Sequence, residues 1–567
     1  MKRYYGVDFE KQREKLLKSK TAKQIIDPII EKADAALGKV YECLKMSEYM
    51  LFVETGDRTV FERKYFERRH DCSYISIAYW LTEDEKYVKP LIDGVFRICD
   101  EFTWCLPAHV GLKRNPSIEV IKMNIDLFQA ETGRLLTDID VLVGDKLPYY
   151  VRERISDEVR KRLIEPLKRI EFGWHMDCTN NWAAVCAGGT GVALLHYGTE
   201  AEISHYLPKL YNAMENFLAG FNDDGCCLEG YAYWNYGFGY FVIFARMILD
   251  YTNGEINYFE REKVKNIATY VQKIRMGRTK NVSFSDGGST FTFSPGLMSY
   301  LKEVYPDDVA LPDLELATTR GNVYSMKEVL WFDTDYKEDE YKEETAYFEG
   351  AQWFIKRGKK FSFAAKAGHN DEPHNHNDVG SFIIVTPDDD IPLADFGCGV
   401  YNAFTFHPDY RYTMIQNSSA GHSVPIINGE FQKVGREYSA SNVEVSGDKF
   451  SFDMEGAYEE GLVKKLHRSF EVKENGVTLC DMVEYSDKTE SITERMVSWT
   501  KPEICDGYVD LKTAKIIFDK ERYTVDFKED SYRNHANTED IPVFLIDFKA
   551  VSEKKTKFKF EIIIKTE

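Results

Sequence analysis

Apolar residues recur three and four positions apart through roughly the first 300 residues. Ala22 to Met46 alternates apolar and charged residues at this spacing, as do Tyr87 to Phe102, Asn124 to Leu136, Val159 to Ile170 and Glu202 to Phe217. That period predicts amphipathic helices. Pro107, Gly111, Pro116 and Gly173 punctuate between the runs, as helix breakers do. After about residue 340 the period shortens to two. Tyr347 to Arg357 and Lys360 to Lys366 predict strands about a turn at Gly358, and Phe450 to Met454, Lys465 to Val472, Val477 to Tyr485 and Lys555 to Ile564 carry the same alternation. The chain therefore reads as α+β and multidomain. A helical domain is expected over residues 1–340 and an antiparallel β-sandwich over 341–567, with the boundary in the acidic segment Pro306 to Glu340. A length of 567 residues also exceeds what one core of ~250–300 residues normally serves.

Charge narrows the partners. A net charge of -20 and a pI near 5.2 argue against nucleic acid, which rewards basic surfaces. A small basic cleft for an anionic substrate remains compatible with an acidic exterior. No stretch approaches the ~20 apolar residues of a membrane span, and Met1 to Gly6 leads into a charged pattern without an apolar signal core. The 11 Cys are scattered, as suits free thiols in a reducing compartment. The expectation is a cytoplasmic protein with no membrane or nucleic-acid partner.

The densest chemistry lies in His374-Asn375-His376-Asn377-Asp378, directly before the apolar run Phe382 to Val385. If this cluster opens a strand, His374 and His376 share one face, and Asn375 and Asn377 share the other. Two imidazoles on one face suit a metal site or an acid/base group beside one. Asp395 and His422 add a carboxylate and a third imidazole, so His376, Asp395 and His422 form a candidate ligand set.

In the helical half, Asn180-Asn181-Trp182 precedes an Ala-rich apolar run. Asn180 fits a helix N-cap or a substrate contact; for Asn181 a site role is favoured. Glu229-Gly230 leads into Tyr231, Tyr233, Trp234, Tyr236 and Tyr240. On a regular helix Tyr233, Tyr236 and Tyr240 share a face, and the competing arrangement buries Trp234 and Phe238 instead. A phenol in a cleft can lend or take a proton when its neighbours tune it. His109 and His175, set among aromatics, fit structural roles, with His109 kept as a sugar-contact candidate.

These pieces, in this order, resemble the heparinase II/III-like polysaccharide lyases, most specifically at His374 to Phe382, with Asn180-Asn181-Trp182, Glu229-Gly230 to Gly237, Asp395, and His422 with Ile427-Asn428-Gly429 in support. The resemblance covers about residues 90–430. It implies an incomplete (α/α) toroid followed by an antiparallel β-sandwich, with the active site in the cleft between them. It also implies β-elimination on a uronic-acid oligo- or polysaccharide, a glycosaminoglycan or alginate among them. A base removes the C5 proton, the C4–O bond breaks, and a 4,5-unsaturated sugar remains.

By that resemblance Asn181 neutralises the sugar carboxylate with amide donors. Tyr236 or Tyr233 protonates the leaving oxygen, with Tyr236 preferred because Gly237 follows it. His374 acts as base or pairs with the tyrosine, and His376, Asp395 and His422 hold a structural Zn2+. Asn180, His109, Trp182, Glu229, Trp234 and Arg411 are the candidate substrate contacts, and Lys113 and Arg114 join Arg411 as candidates for sulfate. One departure is the Asn181-Trp182 pair, where some relatives carry a histidine. The absence of an apolar leader favours action on oligosaccharides. Two other classes compete. A glycoside hydrolase would need an acid/base carboxylate pair from Asp223, Asp224 and Glu229; a sugar-binding protein would need neither.

Overall fold

The computed structural model describes residues 5–169, 174–317, 326–402, 404–533, 539–550 and 557–565. The expected break at Gly173 and the expected run ends at Ile170 and Lys555 lie outside the described residues. The chain is an α+β protein divided into two units. One comprises Met1–Phe221, Tyr233–Ala268 and Thr292–Asp339; the other comprises Asn222–Ala232, Thr269–Phe291 and Glu340–Glu567. The single cut expected near residue 340 is thus joined by two excursions, in which segments of the helical half belong to the β unit. No helix among the described residues is long and apolar enough to cross a membrane.

In the helical unit the periodic runs form Lys20–Ala36, Val88–Cys99, Leu127–Val143 and Glu200–Ala219. The run expected to be one helix over 159–170 instead closes the helix Tyr149–Val159 with a π-turn, Arg160–Ile164, and a tight turn, Glu165–Lys168. Pro166 in that turn has no N–H with which to continue an α-helical ladder. The helix Asn181–Tyr197 is apolar all round, and nearly every residue after Trp182 is buried, which marks a helix enclosed by others. Its Asn180 side chain accepts from the Trp182 N–H at 3.1 Å, satisfying one orphan donor of the first turn.

The β unit holds a four-stranded sheet, an eight-stranded sheet, a second four-stranded sheet and a two-stranded ribbon, with every paired strand antiparallel. Alternation sets their faces. In Lys465–Lys473 the residues Leu466, Arg468, Phe470 and Val472 are buried between more exposed neighbours, the period of a pleated strand. Phe354 and Phe363, Phe470 and Leu479, and Ile492 and Ile546 come from three different sheets and share one core.

The two excursions are stitched to this unit by hydrogen bonds. Arg357 donates to the carbonyls of Gln272 at 2.9 Å and Arg275 at 3.3 Å, and the Gly350 N–H donates to Asp224 at 2.8 Å. The turn bearing Asp286 is held by close backbone approach. A Cβ on Gly397, whose φ is +66°, would stand 1.9 Å from the Gly287 carbonyl oxygen, so no other residue fits there.

Arg468 fixes the loops that carry the histidines. It is fully buried and donates to Asp481 at 2.6 Å, to Glu494 at 3.0 Å, and to the carbonyls of Gly380 at 2.9 Å and Ser423 at 2.8 Å. Burial and the neighbouring Asp481 push the Glu494 carboxyl well above the usual carboxylate range. Arg468→Ala leaves Asp481 and both carbonyls without their donor. It should cost about 3–5 kcal/mol in urea unfolding; a loss near zero would show that these loops hold themselves.

Candidate functional site

The His374–Asp378 stretch is a loop, not the opening of a strand; the strand begins at Phe382. His374 takes a left-handed backbone conformation, with φ at 56°, which breaks extended pairing and is uncommon outside glycine. The expected facing nevertheless arises by another route. His374 and His376 turn to the same carboxylate, Asp286: Nδ1 of His374 lies 2.5 Å from Oδ2, and Nε2 of His376 lies 3.0 Å from Oδ1. Asn375 and Asn377 bond to each other at 3.0 Å.

Asp286 is buried. Burial alone would raise its proton affinity, but the two imidazole hydrogen bonds outweigh it and hold the carboxyl far below the usual range. The Tyr401 hydroxyl donates to Oδ2 at 2.8 Å. An ionised Asp286 accepts the Nδ1–H of His374, which leaves Nε2 with a lone pair. This is the way a buried aspartate sets the tautomer of a catalytic histidine. Nε2 faces Glu229 Oε1 at 3.5 Å, and the side chain keeps 17% of its surface accessible.

Behind this pair, ligand atoms of His376, Asp378, Asp395 and His422 all lie within 4.8 Å of one another, and all four residues are buried. His376 Nδ1, Asp378 Oδ2 and Asp395 Oδ1 are sealed from solvent without a hydrogen-bond partner among the described residues. Orphaned buried acceptors of this kind are costly unless a cation takes them. The outer contacts fit as well. His376 Nε2 meets Asp286, which leaves its Nδ1 bare, while His422 Nε2 meets the Gln416 carbonyl at 3.0 Å and its Nδ1 lies 2.9 Å from Asp395 Oδ2, a contact that a metal between the two would replace. Lys366, fully buried, holds the other oxygen of Asp378 at 2.8 Å. The residues present therefore fit a divalent cation of the zinc type with two imidazole and two carboxylate donors, Asp378 adding a donor to the three expected.

The helical unit carries a second constellation. The Asn181 side chain makes no hydrogen bond among the described residues, although the residue is buried. Gly237 packs against it so closely that a Cβ there would stand 2.9 Å from Asn181 Cβ. The tyrosine segment is not a regular helix: a helical turn Tyr231–Tyr233 passes into a π-turn Trp234–Phe238 before the helix Gly239–Tyr251. Single π-turns inside helices recur at functional sites. The Tyr236 hydroxyl is sealed from solvent and has no partner in hydrogen-bonding geometry among the described residues. It lies beside Glu131, and burial first, then that carboxyl, push its proton affinity well up. The sealed hydroxyl counts against the preference for Tyr236 as the group that meets a leaving oxygen. Tyr233, half-buried, keeps accessible surface.

Other candidates take structural places. Trp234 is buried and donates to the Ile267 carbonyl at 2.7 Å, so it belongs to the core rather than to a sugar contact. Asn180 caps its helix. Arg411 is buried and spends its guanidinium on the carbonyls of Asn375 at 2.8 Å and Thr405 at 3.1 Å, which removes it as a free sulfate ligand. His109 bonds Asp126 at 2.8 Å and stacks on Phe128. Trp182 is half-buried between His109 and His175, at ring separations of 4.8 and 4.3 Å. Burial pushes His175 down to about 3, so it is neutral. Glu229 is a partner of His374 rather than an exposed contact. The sequence does not single out Asp286, Tyr401 or Glu131, and it offers Asp378 as part of the histidine cluster without a place in the ligand set. Ser285-Asp286-Gly287-Gly288 is a turn signal between apolar runs and was the one available clue.

No family model matches the chain, and no curated protein matches it. Solved structures do. Heparan sulfate lyase HepC from Pedobacter heparinus superposes with a TM-score of 0.57 at 14% identity, covering 95% of this chain and 82% of that one. A heparinase III gene product gives 0.62 at 13% identity, over 95% and 84%. The Streptomyces coelicolor A3 chondroitin AC lyase, solved with chondroitin sulphate, gives 0.51 at 10% identity, over 96% and 83%. At these identities the likeness establishes a shared fold: the chain folds as heparinase III does.

Glu131 yields a test of the helical constellation. Burial pushes its carboxyl up to about 7, against the opposing pull of Tyr236, Arg134 and Arg69. A raised acid adds stability that is complete below its unfolded value near 4.5 and is lost as pH rises through the folded value near 7. Glu131→Gln removes that titration. Its stability relative to the parent should climb by on the order of 3 kcal/mol between pH 5 and pH 8, read from urea unfolding across that range. Parallel curves for the two proteins would contradict the buried, proton-holding state.

Proposed function

We propose that the chain is a carbon–oxygen lyase that cleaves uronic-acid-containing glycans, glycosaminoglycan oligosaccharides above all, by β-elimination. The observation that carries this reading is the 2.5 Å contact between Asp286 and His374 Nδ1, which suits an imidazole held for proton abstraction, in a chain that shares its fold with heparan sulfate and chondroitin lyases. The same reading makes the helical unit an incomplete (α/α) toroid and the β unit a sandwich.

In the proposed reaction the C6 carboxylate of a uronyl residue takes the Asn181 amide donors, which offset the charge that builds as C5 is deprotonated. His374 Nε2 accepts the C5 proton while Asp286 keeps Nδ1–H engaged, and Glu229 stabilises the imidazolium as it forms. The C5–H electron pair becomes the C4=C5 bond, the C4–O4 bond breaks, and Tyr233 gives its hydroxyl proton to O4. Imidazolium and phenolate then return to their starting states by exchange with solvent. Water is not consumed. The residues His376, Asp378, Asp395 and His422 would hold Zn2+, whose charge would lock the loop between His374 and Asp378 and whose part is structural.

The hydrolase reading is less well supported. Asp224 is spent on the N–H groups of Cys226 and Gly350, at 2.9 and 2.8 Å, and Glu229 faces His374 at 3.5 Å, so neither is offered as one half of an acid/base carboxylate pair.

Incubation with heparan sulfate, chondroitin and alginate oligosaccharides, read by the ultraviolet absorbance of the conjugated product, tests the proposal. The parent should generate that chromophore on at least one of them. His374→Ala and Tyr233→Phe should each lower kcat by about 10²–10⁴-fold, while Tyr236→Phe should stay within about tenfold, since its hydroxyl is sealed. New reducing ends without the chromophore would establish hydrolysis instead. A Tyr236→Phe loss as deep as that of Tyr233→Phe would overturn the tyrosine assignment.

A further inference from the structure

The loop that follows Tyr401 holds an anomaly. Phe404 and Phe406 are 47% and 54% exposed, and no other described phenylalanine is exposed to that degree. Tyr410, six residues on, is 48% exposed. Thr405 between the two phenylalanines is buried, so the chain turns its polar residue inward and its rings outward, the reverse of what water favours. The arrangement is ordered. Phe404 N–H donates to the Asn402 side chain at 2.8 Å, Asn402 N–H to the Thr405 hydroxyl at 2.9 Å, and the Arg411 guanidinium braces the Thr405 carbonyl at 3.1 Å.

These rings form two pairs in one loop, and one of them reaches His374. Phe406 meets His374 edge to face at 5.2 Å and Tyr401 at 5.2 Å, and Phe404 packs edge to face on Tyr410 at 5.2 Å. Rings held on edge against one another keep their outer faces available. Exposed aromatic surface gathered in one ordered loop beside His374 marks a binding face. Among the described residues of the loop from Phe404 to Tyr410, the side chains that can carry charge at neutral pH are His407 and Asp409, 3.8 Å apart and of opposite sign, with Arg411 buried just beyond them. A patch with so little positive charge is built for the C–H faces of sugar rings rather than for sulfate.

We infer that Phe404, Phe406 and Tyr410 form a stacking subsite for a sugar residue of the glycan next to the one processed at His374, and that this subsite reads ring faces rather than charge. The inference rests on the elimination reading for the identity of its occupant, and on Phe406–His374 contact for its place. Substrate length is its consequence: a chain long enough to reach the rings binds more tightly than one that stops at His374.

The test uses the full chain with His374→Ala in the background, so that ligand survives, and titrates heparan sulfate, chondroitin and alginate hexasaccharides and disaccharides calorimetrically. Phe404→Ala and Tyr410→Ala together should weaken the best hexasaccharide by about tenfold, leave disaccharide binding within twofold, and lose as much at high salt as at low. Phe404→Tyr with Tyr410→Phe keeps the rings and should keep the affinity; unchanged melting temperatures certify folding. Equal hexasaccharide affinity in parent and alanine variant overturns the inference, as does the absence of any hexasaccharide binding. Loss of self-association on sedimentation, with affinity intact, also overturns it by making the patch a contact between copies. If the ring-dependent affinity is found but the parent enzyme never produces the conjugated chromophore, the elimination reading fails and the stacking subsite stands.

Discussion

One carboxylate organises the β unit. Asp286 stands at a turn where only glycine backbone can approach, and its two oxygens are divided between His374 and His376. A buried anion is tolerable only when its lone pairs are taken by good donors, and here two imidazoles and a phenol supply them. The result links two functions through one group. On one oxygen, Asp286 fixes the tautomer and aim of the imidazole proposed to abstract a proton. On the other, it turns His376 so that its second nitrogen points at Asp378, Asp395 and His422. The chain reaches this arrangement by lending residues 269–291 of its helical half to the β unit, and Arg468 clamps the loops on either side of it.

Burial does different work in the helical unit. Glu131, Arg134, Asp138 and Tyr240 are all buried along or against a helix that is enclosed over nearly its whole length. Arg134 bonds both Asp138 and the Tyr240 hydroxyl. Tyr236 belongs to this interior network, with a hydroxyl that faces Glu131 and not a ligand. Tyr236 lies within the π-turn Trp234–Phe238, and Tyr233 stands just before it. Both tyrosines are half-buried as residues, and the sealed hydroxyl of Tyr236 is the observation behind the proposal that Tyr233 is the phenol that meets the substrate.

Sequence periodicity carried the architecture well, because helices and strands declare themselves locally: Glu202 to Phe217 falls within Glu200–Ala219, and Lys465 to Val472 within Lys465–Lys473. It also brought His376, Asp395 and His422 forward as one group, from residue type alone. It could not show Asp286, which comes from a segment about ninety residues away and is joined to the histidines only by tertiary contact. It could not separate Tyr233 from Tyr236, since a regular helix was assumed and the π-turn shifts the register between them. Trp234 and Arg411 have the right chemistry for sugar and sulfate, but burial and carbonyl partners decide their roles. The exposure of Phe404 and Phe406 has no one-dimensional signature, as aromatics are equally at home in a core.

The measurement that bears most directly on this account is made on Asp286→Ala. Metal bound per chain, by elemental analysis, and the elimination rate are determined on one preparation, beside an exposed control substitution. If Asp286 joins the histidines as described, metal content and rate should fall together, each by about tenfold or more. A variant that keeps both its metal and its rate would show that the two histidines are positioned independently of this carboxylate, and the central claim would be wrong.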